Sequence, residues 1–321
     1  MEQSKLVSIV ISVFNEENNL QELYSELQRN LPPKEYNYEF LFVNDGSTDN
    51  SFTIIFELLQ ADPRVKIVNF WKNFGHEIAM TAGLDYAKGD CVIFMDADLQ
   101  HPPELLPVML EKWKSGADLV LTQRLANKDQ GLRSKILNRI YYGLVNILSD
   151  DKIPANMPDF RLIDQKYVTF LKSMREHKRL FRGLINWMGL KNHVIIPFEA
   201  PKRFAGQSKY NIRKLTSLAI DSIISFSIKP LRIASYFGIL TAFIAILMGI
   251  YFVYDFLSNP DYTFSGIGTT LVMVILMGSA QLFVLGIIGE YIGRIHLETK
   301  KRPLYFADFI EKEKQEVDQI L

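Results

Sequence analysis

CVIFMDADLQHPPE, residues Cys91–Glu104, decides the fold. The apolar run Cys91–Met95 ends abruptly in Asp96-Ala97-Asp98 and is preceded by Asp90. A short apolar run between polar ends reads as a strand buried on both faces, here Asp90–Asp96. The stretch Pro102–Ser115 then reads as a helix with proline at its start. The same alternation extends to either side. Strands are expected at Leu6–Val13, Tyr38–Asn44, Val65–Phe70 and Ala117–Gln123, and helices at Asn18–Arg29, Asp49–Gln60 and Gly75–Ala87. Strands alternating with helices imply an α/β fold whose mostly parallel sheet is covered on both faces. Ligands of such sheets bind beyond the carboxyl ends of the strands. The residues expected there are Asn15-Glu16, Asp45-Gly46-Ser47, Lys72-Asn73, Asp96-Ala97-Asp98 and Arg124, a rim of carboxylates, amides and cations.

Two segments of this rim carry chemistry. In Asp96-x-Asp98-x-Gln100, residues two apart on an extended chain point the same way. Two carboxylates and an amide then make an oxygen-rich site suited to Mg²⁺ or Mn²⁺. Such a cation bridges protein carboxylates to phosphate oxygens. An isolated D-x-D is usually a solvated acidic turn; its place at the end of a central strand makes it informative. In VNDGSTDNS, Val43–Ser51, Asp45 follows a strand and Gly46 permits a tight turn. A carboxylate there can accept hydrogen bonds from a base N–H or ribose hydroxyls. Ser47, Thr48 or Asp49 is expected to cap the next helix.

Composition excludes several classes. The 36 basic and 36 acidic residues cancel, so the basic footprint of a nucleic-acid binder is missing. A single cysteine excludes an internal disulfide framework, and the five histidines show no zinc spacing. Neither G-x-G-x-x-G nor G-x-x-x-x-G-K-[ST] occurs, which removes the main support for a Rossmann dehydrogenase or a P-loop NTPase.

Charge is unevenly distributed. From Leu231 to Gly293 the only charged residues are Arg232, Asp255, Asp261 and Glu290. Ile233–Tyr254 is an uncharged run of 22 residues and Tyr262–Gly289 one of 28. A helix of the shorter run spans roughly 33 Å, enough for a hydrocarbon core of ~30 Å. Lys229 and Arg232 precede the pair and Arg294, Lys300, Lys301 and Arg302 follow it, while the connector Asp255–Asp261 has no basic residue. By the positive-inside rule both outer ends face the cytoplasm. The polar start Met1–Lys5 does not read as a signal peptide. The expected organisation is a cytoplasmic catalytic domain over 1–210, an interfacial amphipathic helix over 211–230, two transmembrane helices within 231–293 (about 233–254 and 264–289), and a cytoplasmic tail over 294–321. Arg133–Leu148 is also amphipathic and suits either a membrane surface or the domain core.

Seven segments together carry a family resemblance. They are SIVISVFNEENNL (Ser8–Leu20), VNDGSTDNS, NFGHEIAMTAGLDYAKGD (Asn73–Asp90), FMDADLQHPPE (Phe94–Glu104), PDFRLID (Pro158–Asp164), RFAGQSKY (Arg203–Tyr210) and GIIGEYIGRI (Gly286–Ile295). The chain resembles the family-two glycosyltransferases of the GT-A fold. Within them it is similar to the polyprenyl-phosphate sugar transferases, dolichol-phosphate mannose synthase and the bacterial bactoprenol glucosyltransferases. The resemblance implies inverting transfer of a hexose, glucose from UDP-glucose, to undecaprenyl phosphate at the bacterial inner membrane, giving a lipid-linked donor for cell-surface glycan such as lipopolysaccharide. It implies Asn15, Glu16, Asp45, Lys72, Asn73, Gly75 and Asp96 as the nucleotide side, and Asp98 with Gln100 as ligands of Mg²⁺ or Mn²⁺. Asp96, Asp98 and Asp159 are the implied catalytic carboxylates. Arg124, Arg133, Arg203, Ser208 and Lys209 are implied around the acceptor phosphate. Asp159 is either a base or a residue that holds Arg161. The sequence departs from the family pattern at Ser12, where proline is common, and at Asn44, where aspartate is usual. Another donor, GDP-mannose or a UDP-aminosugar, and a non-catalytic membrane adaptor remain open alternatives. A processive synthase is disfavoured, because Trp71, Trp113 and Trp187 follow Phe70, Lys112 and Asn186 rather than the arginine of Q-x-x-R-W. Gly278, Ser279 and Gly286 leave room for span-to-span packing within or between chains.

Overall fold

The computed structural model describes residues 4–32, 35–125, 143, 156–177, 179–189, 191–201, 227–258 and 267–312. The chain divides into two units, one of Met1–Arg139, Ile153–Asn211 and Arg302–Leu321, the other of Ile140–Lys152 and Ile212–Lys301.

The first unit is built on one eight-stranded sheet. Its strands are β1 (Leu6–Val13), β2 (Asn37–Asn44), β3 (Val65–Phe70), β4 (Cys91–Asp96), β5 (Leu119–Arg124), β6 (Arg161–Asp164), β7 (His193–Phe198) and β8 (Ala307–Glu311). The order is β7-β5-β6-β4-β1-β2-β3-β8. The pairs β1–β2, β1–β4, β2–β3 and β5–β7 are parallel, and β4–β6, β5–β6 and β3–β8 antiparallel. The expected mostly parallel α/β sheet is therefore present. Its central strands are apolar on both faces because helices cover both, and Ile9, Ile11, Phe40, Phe42, Ile93 and Phe94 are all buried.

The helices of this unit are α1 (Leu20–Asn30), α2 (Ser51–Ala61), α3 (His76–Tyr86), α4 (Leu106–Lys114), α5 (Gln165–Ser173) and α6 (Phe181–Trp187). α1 forms because Leu20, Leu23 and Leu27 recur on one buried face, with Glu22 in its first turn and Arg29 in its last. The helix expected over Pro102–Ser115 is instead a 3-10 turn, Pro103–Leu105, followed by α4, which has a proline in its first turn. The cap of α2 is Asn50, not Ser47, Thr48 or Asp49; the Asp49 carboxylate instead accepts the Ser51 N–H at 3.0 Å.

The C-terminal segment is more than the expected tail. Residues 307–311 close the exposed edge of β3 as β8, antiparallel, with Phe70 opposite Ala307. Aromatic contacts fix it there. Tyr305 stacks on Phe70 at 5.1 Å, Phe309 on Tyr86 at 4.7 Å and Phe306 on Trp71 at 5.6 Å. The Tyr305 hydroxyl donates to Asp85 at 2.9 Å.

The second unit contains α7 (Lys229–Ser258) and α8 (Ile267–Thr299), of 30 and 33 residues. Both are long and apolar enough to cross a membrane. Ile239, Phe243, Ile246, Val274, Leu276 and Phe283 along them are exposed, a density of apolar surface that water does not tolerate. The amphipathic stretch 133–148, apart from Gly143, and most of 211–229 lie outside the described residues.

Candidate active site

Strand register assembles the site. Val13 pairs with Asn44, Asn44 with Asn69, and Ser12 with Asp96, so the carboxyl ends of β1 to β4 finish side by side. The loops leaving them are laced together. Asn15 takes a left-handed conformation at φ 56, which asparagine tolerates better than most residues. Its backbone N–H donates to Ser47 Oγ at 3.0 Å, and its Oδ1 accepts the Thr48 N–H at 2.8 Å. The Glu16 N–H donates to Ser51 Oγ at 2.9 Å. Asn44 donates to Asn69 Oδ1 at 2.7 Å and accepts the Ser47 N–H at 3.2 Å, which gives this departure from the family pattern a structural task.

Asp45 is buried and organises the next loop. Its carboxylate accepts the Phe74 N–H at 2.7 Å, the Gly75 N–H at 3.0 Å and Asn73 Nδ2 at 3.0 Å. Burial pushes its pKa up to about 6, against those hydrogen bonds and the nearby His76. Gly46 has φ +64, and a Cβ there would lie 2.5 Å from the Lys72 carbonyl carbon. Only glycine lets the two loops approach this closely. Gly75, at φ 98, precedes α3. Lys72 is exposed, its Nζ 5.1 Å from the Phe74 ring centroid. The structure thus brings Asn15, Glu16, Asp45, Asn73 and Gly75 into one bonded rim.

The D-x-D segment differs from the expected extended geometry. β4 stops at Asp96, and the chain turns through Ala97–Gln100 with Leu99 at φ 59. A non-glycine residue held left-handed is stored strain of the kind found at functional sites. Buried Asp98 accepts the Gln100 N–H at 3.1 Å, so a turn, not strand alternation, positions this carboxylate. Asp96 is half-buried and accepts Ser12 Oγ at 3.0 Å. Its N–H donates to Nδ1 of buried His101, whose ring stacks on Phe160 at 5.1 Å.

These residues suit a magnesium-type ion. Among the described residues no three His, Cys, Asp or Glu side chains are grouped to enclose a metal. Mg²⁺ needs no such cage: it is commonly held by one or two carboxylates together with substrate phosphates. Asp98 and Gln100 offer hard oxygen donors of that kind beside Asp96.

Asp159 lies buried among cations. Its Oδ1 pairs with Arg161, and its Oδ2 lies 3.3 Å from Arg182 Nη2 and 3.5 Å from His76 Nε2. Burial alone would raise its pKa; Arg161, His76 and Arg182 together hold it well below the ordinary carboxylate range. Glu77, next to His76, accepts the Phe181 N–H at 2.9 Å. Its pKa is pushed up to about 6 by burial and then by the Asp159 charge. Arg124 ends β5, on the far side of β6 from β4, and its N–H donates to Asn156 O at 2.9 Å. Arg133, Arg203, Ser208 and Lys209 lie outside the described residues.

Sequence reasoning assigned no role to His76, His101 or Arg182. His76 and His101 stand inside the motifs NFGHEIAM and FMDADLQHPPE, and that adjacency was the available signal. Arg182 lies in no motif.

Comparison with known proteins fits this geometry. The model of the glycosyl transferase family 2 matches residues 8–170, and that of the GtrB C-terminal hairpin matches residues 229–295. The chain is 43% identical over 305 residues to the uncharacterized glycosyltransferase YkcC of Bacillus subtilis, covering 94% of this chain and 92% of that one. It is 40% identical over 311 residues to the bactoprenol glucosyl transferase of Shigella phage SfV, covering 96% and 99%. A crystal structure of glucosyl-3-phosphoglycerate synthase from Mycobacterium tuberculosis superposes with a TM-score of 0.49 at 15% identity, covering 69% of this chain and 79% of that one. A catalytic sheet rimmed by these motifs, followed by an apolar helical pair, places the chain in glycosyl transferase family 2, as a glycosyltransferase with a GtrB-type C-terminal hairpin.

Proposed function

We propose that the protein transfers glucose from UDP-glucose to the phosphate of undecaprenyl phosphate, at the cytoplasmic face of a bacterial inner membrane. The observation that carries this reading is the similarity to a bactoprenol glucosyl transferase at 40% identity over 99% of that relative, hairpin included. In the reaction a phosphate oxygen of the acceptor forms a bond to the anomeric carbon. The bond from that carbon to the diphosphate oxygen breaks, and UDP leaves. Attack opposite the leaving group inverts the centre and gives a β-linked glycosyl phosphate.

The arrangement of Asp159 bears on this step. A phosphate monoester has its second pKa near ~6, so the acceptor is already an anion at neutral pH. A base is therefore dispensable. A carboxylate held well below its ordinary pKa is a weak base, and Asp159 is already engaged by three cations. Its role is to hold Arg161, Arg182 and His76 in place. Asn15, Glu16, Asp45, Lys72, Asn73 and Gly75 form the nucleoside edge, with Asp45 acting by shaping the 73–75 loop. Asp98 and Gln100 would hold Mg²⁺ or Mn²⁺, which when bound neutralises charge on the departing diphosphate. Arg124, Arg133, Arg203, Ser208 and Lys209 gather the acceptor phosphate. α7 and α8 cross the bilayer as a hairpin, a reading supported by the pairing of β8 with β3, which joins chain from before and after the two helices.

The test is incubation of radiolabelled UDP-glucose with membranes containing the protein and undecaprenyl phosphate. Lipid-extractable label is expected. A parallel panel of UDP-galactose, GDP-mannose and UDP-aminosugars identifies the donor, and label from one of these alone would replace glucose in the reading. Label in a polymer, or no lipid label from any donor, would overturn it.

A further inference from the structure

His76 and Ser12 connect the two carboxylates on which the proposed reaction depends. His76 opens α3, and its side chain is 39% exposed. Its Nδ1 lies 3.1 Å from Ser12 Oγ. The Ser12 hydroxyl donates to Asp96 Oδ1 at 3.0 Å. Ser12 and Asp96 are register partners on the neighbouring strands β1 and β4, so the backbone fixes this contact. The other ring nitrogen, Nε2, lies 3.5 Å from Asp159 Oδ2. Nδ1 is also 3.6 Å from Asp96 Oδ1. One ring thus faces the D-x-D carboxylate on one edge and the buried carboxylate before β6 on the other. Both ring nitrogens donate only when the imidazole is protonated. Ser12 is one of the two positions where the sequence departs from the family pattern, and here its hydroxyl has a definite task.

We infer that His76 is a positioning residue whose imidazolium ties Asp159, through Nε2–H, to Asp96, through Nδ1–H and the Ser12 hydroxyl, and so sets the spacing between the donor and acceptor sides of the site. The inference rests on the transferase reading given above. The charged groups around the ring are Asp96 at the end of β4, Asp159 with its cations Arg161 and Arg182, Glu77 on α3, and Asp45 after β2. With a carboxylate facing each ring nitrogen, the doubly protonated ring is the form that can donate on both edges at once. A neutral ring could donate on one edge only, and the link would be broken on the other.

The experiment measures steady-state glucose transfer by the full chain in detergent with undecaprenyl phosphate. His76→Ala is expected to lower kcat about a hundredfold, the scale of a small misplacement of reacting groups. KM for UDP-glucose should change by less than about threefold, as for a group that acts on the transition state rather than on uniform binding. His76→Gln can still reach Asp159, and His76→Asn can still reach Ser12, so each should fall between wild type and His76→Ala. Ser12→Ala should lose about tenfold in kcat, and Ser12→Thr, which keeps the hydroxyl, should restore most of it. Wild-type kcat in His76→Ala, a loss confined to KM, or no difference between Ser12→Thr and Ser12→Ala would overturn the inference. A second readout is independent of turnover: nitrogen-15 spectra of the His76 ring in the full chain without substrates. Both nitrogens should carry protons at pH 8, and a neutral ring there would overturn the bridge. If wild type makes no lipid-linked sugar from any donor, the proposed reaction fails, and the ring spectra still decide whether the bridge exists.

Discussion

Asp159→Asn should destabilise the catalytic unit far more than a surface carboxylate would. The change removes the negative charge from a cluster in which Asp159 and Arg161 are both almost fully buried. Arg182 and His76, at 31% and 39% side-chain exposure, can recover hydration, whereas Arg161 cannot. Arg161 Nε has no partner among the described residues, so its guanidinium depends on Asp159 and on Pro158 O at 3.0 Å. Removing one member of such a pair costs about 3–5 kcal/mol, because the remaining charge stays buried. For a unit of this size that is a fall in Tm of roughly 6–20 °C. Trp113 is the only buried tryptophan, so its fluorescence reports melting of this unit. The pH dependence has a defined sign. Because the folded pKa of Asp159 is depressed, its stabilisation is complete above the unfolded carboxylate value near ~4 and fades as pH falls below it. The gap between wild type and Asp159→Asn should therefore narrow below about pH 4. Adding Arg161→Met should raise the Tm of Asp159→Asn, since an apolar side chain of similar length no longer strands a charge. A cost below about 1 kcal/mol, the scale of an exposed pair, or a double variant less stable than Asp159→Asn, would refute this account of the cluster.

Three further outcomes follow from the geometry. Gly46→Ala places a methyl 2.5 Å from the Lys72 carbonyl carbon at φ +64, and should cost about 2–4 kcal/mol by thermal melting and weaken UDP binding in calorimetry. Asp98→Ala should abolish transfer at any Mg²⁺ or Mn²⁺ concentration while the protein still folds, and EDTA should stop the wild type; full activity in EDTA would remove the metal from the reaction. Because the native Cys91 is buried, single cysteines can be scored with an impermeant reagent in intact cells. A cysteine at Ser258 should label from outside and one at Lys312 should not, and labelling of Lys312→Cys would refute the hairpin topology.

The sheet was legible because buried parallel strands are short apolar runs, and their ends were marked by Asn15, Asp45, Asn73 and Asp96. The two long helices were legible for the simpler reason that charge is almost absent from Ile233 to Gly289. Pairing across sequence distance was not legible. β8 lies 237 residues from its anchor, as the Trp71–Asp308 hydrogen bond shows, and no local pattern in Ala307–Glu311 names β3 as its partner. The antiparallel β6 lies within PDFRLID, whose Asp159 could be seen as a carboxylate but not as one encircled by Arg161, Arg182 and His76. Asp98 followed the same rule: the sequence supplied the residue, but a turn at Leu99, rather than strand alternation, supplied its position. Residue type and periodicity are local properties and determined the elements and the chemistry present. The surroundings of Asp45, Asp159 and His76, burial for the first and opposite charges for the other two, depend on which distant segments pack together, and only the tertiary structure decided that.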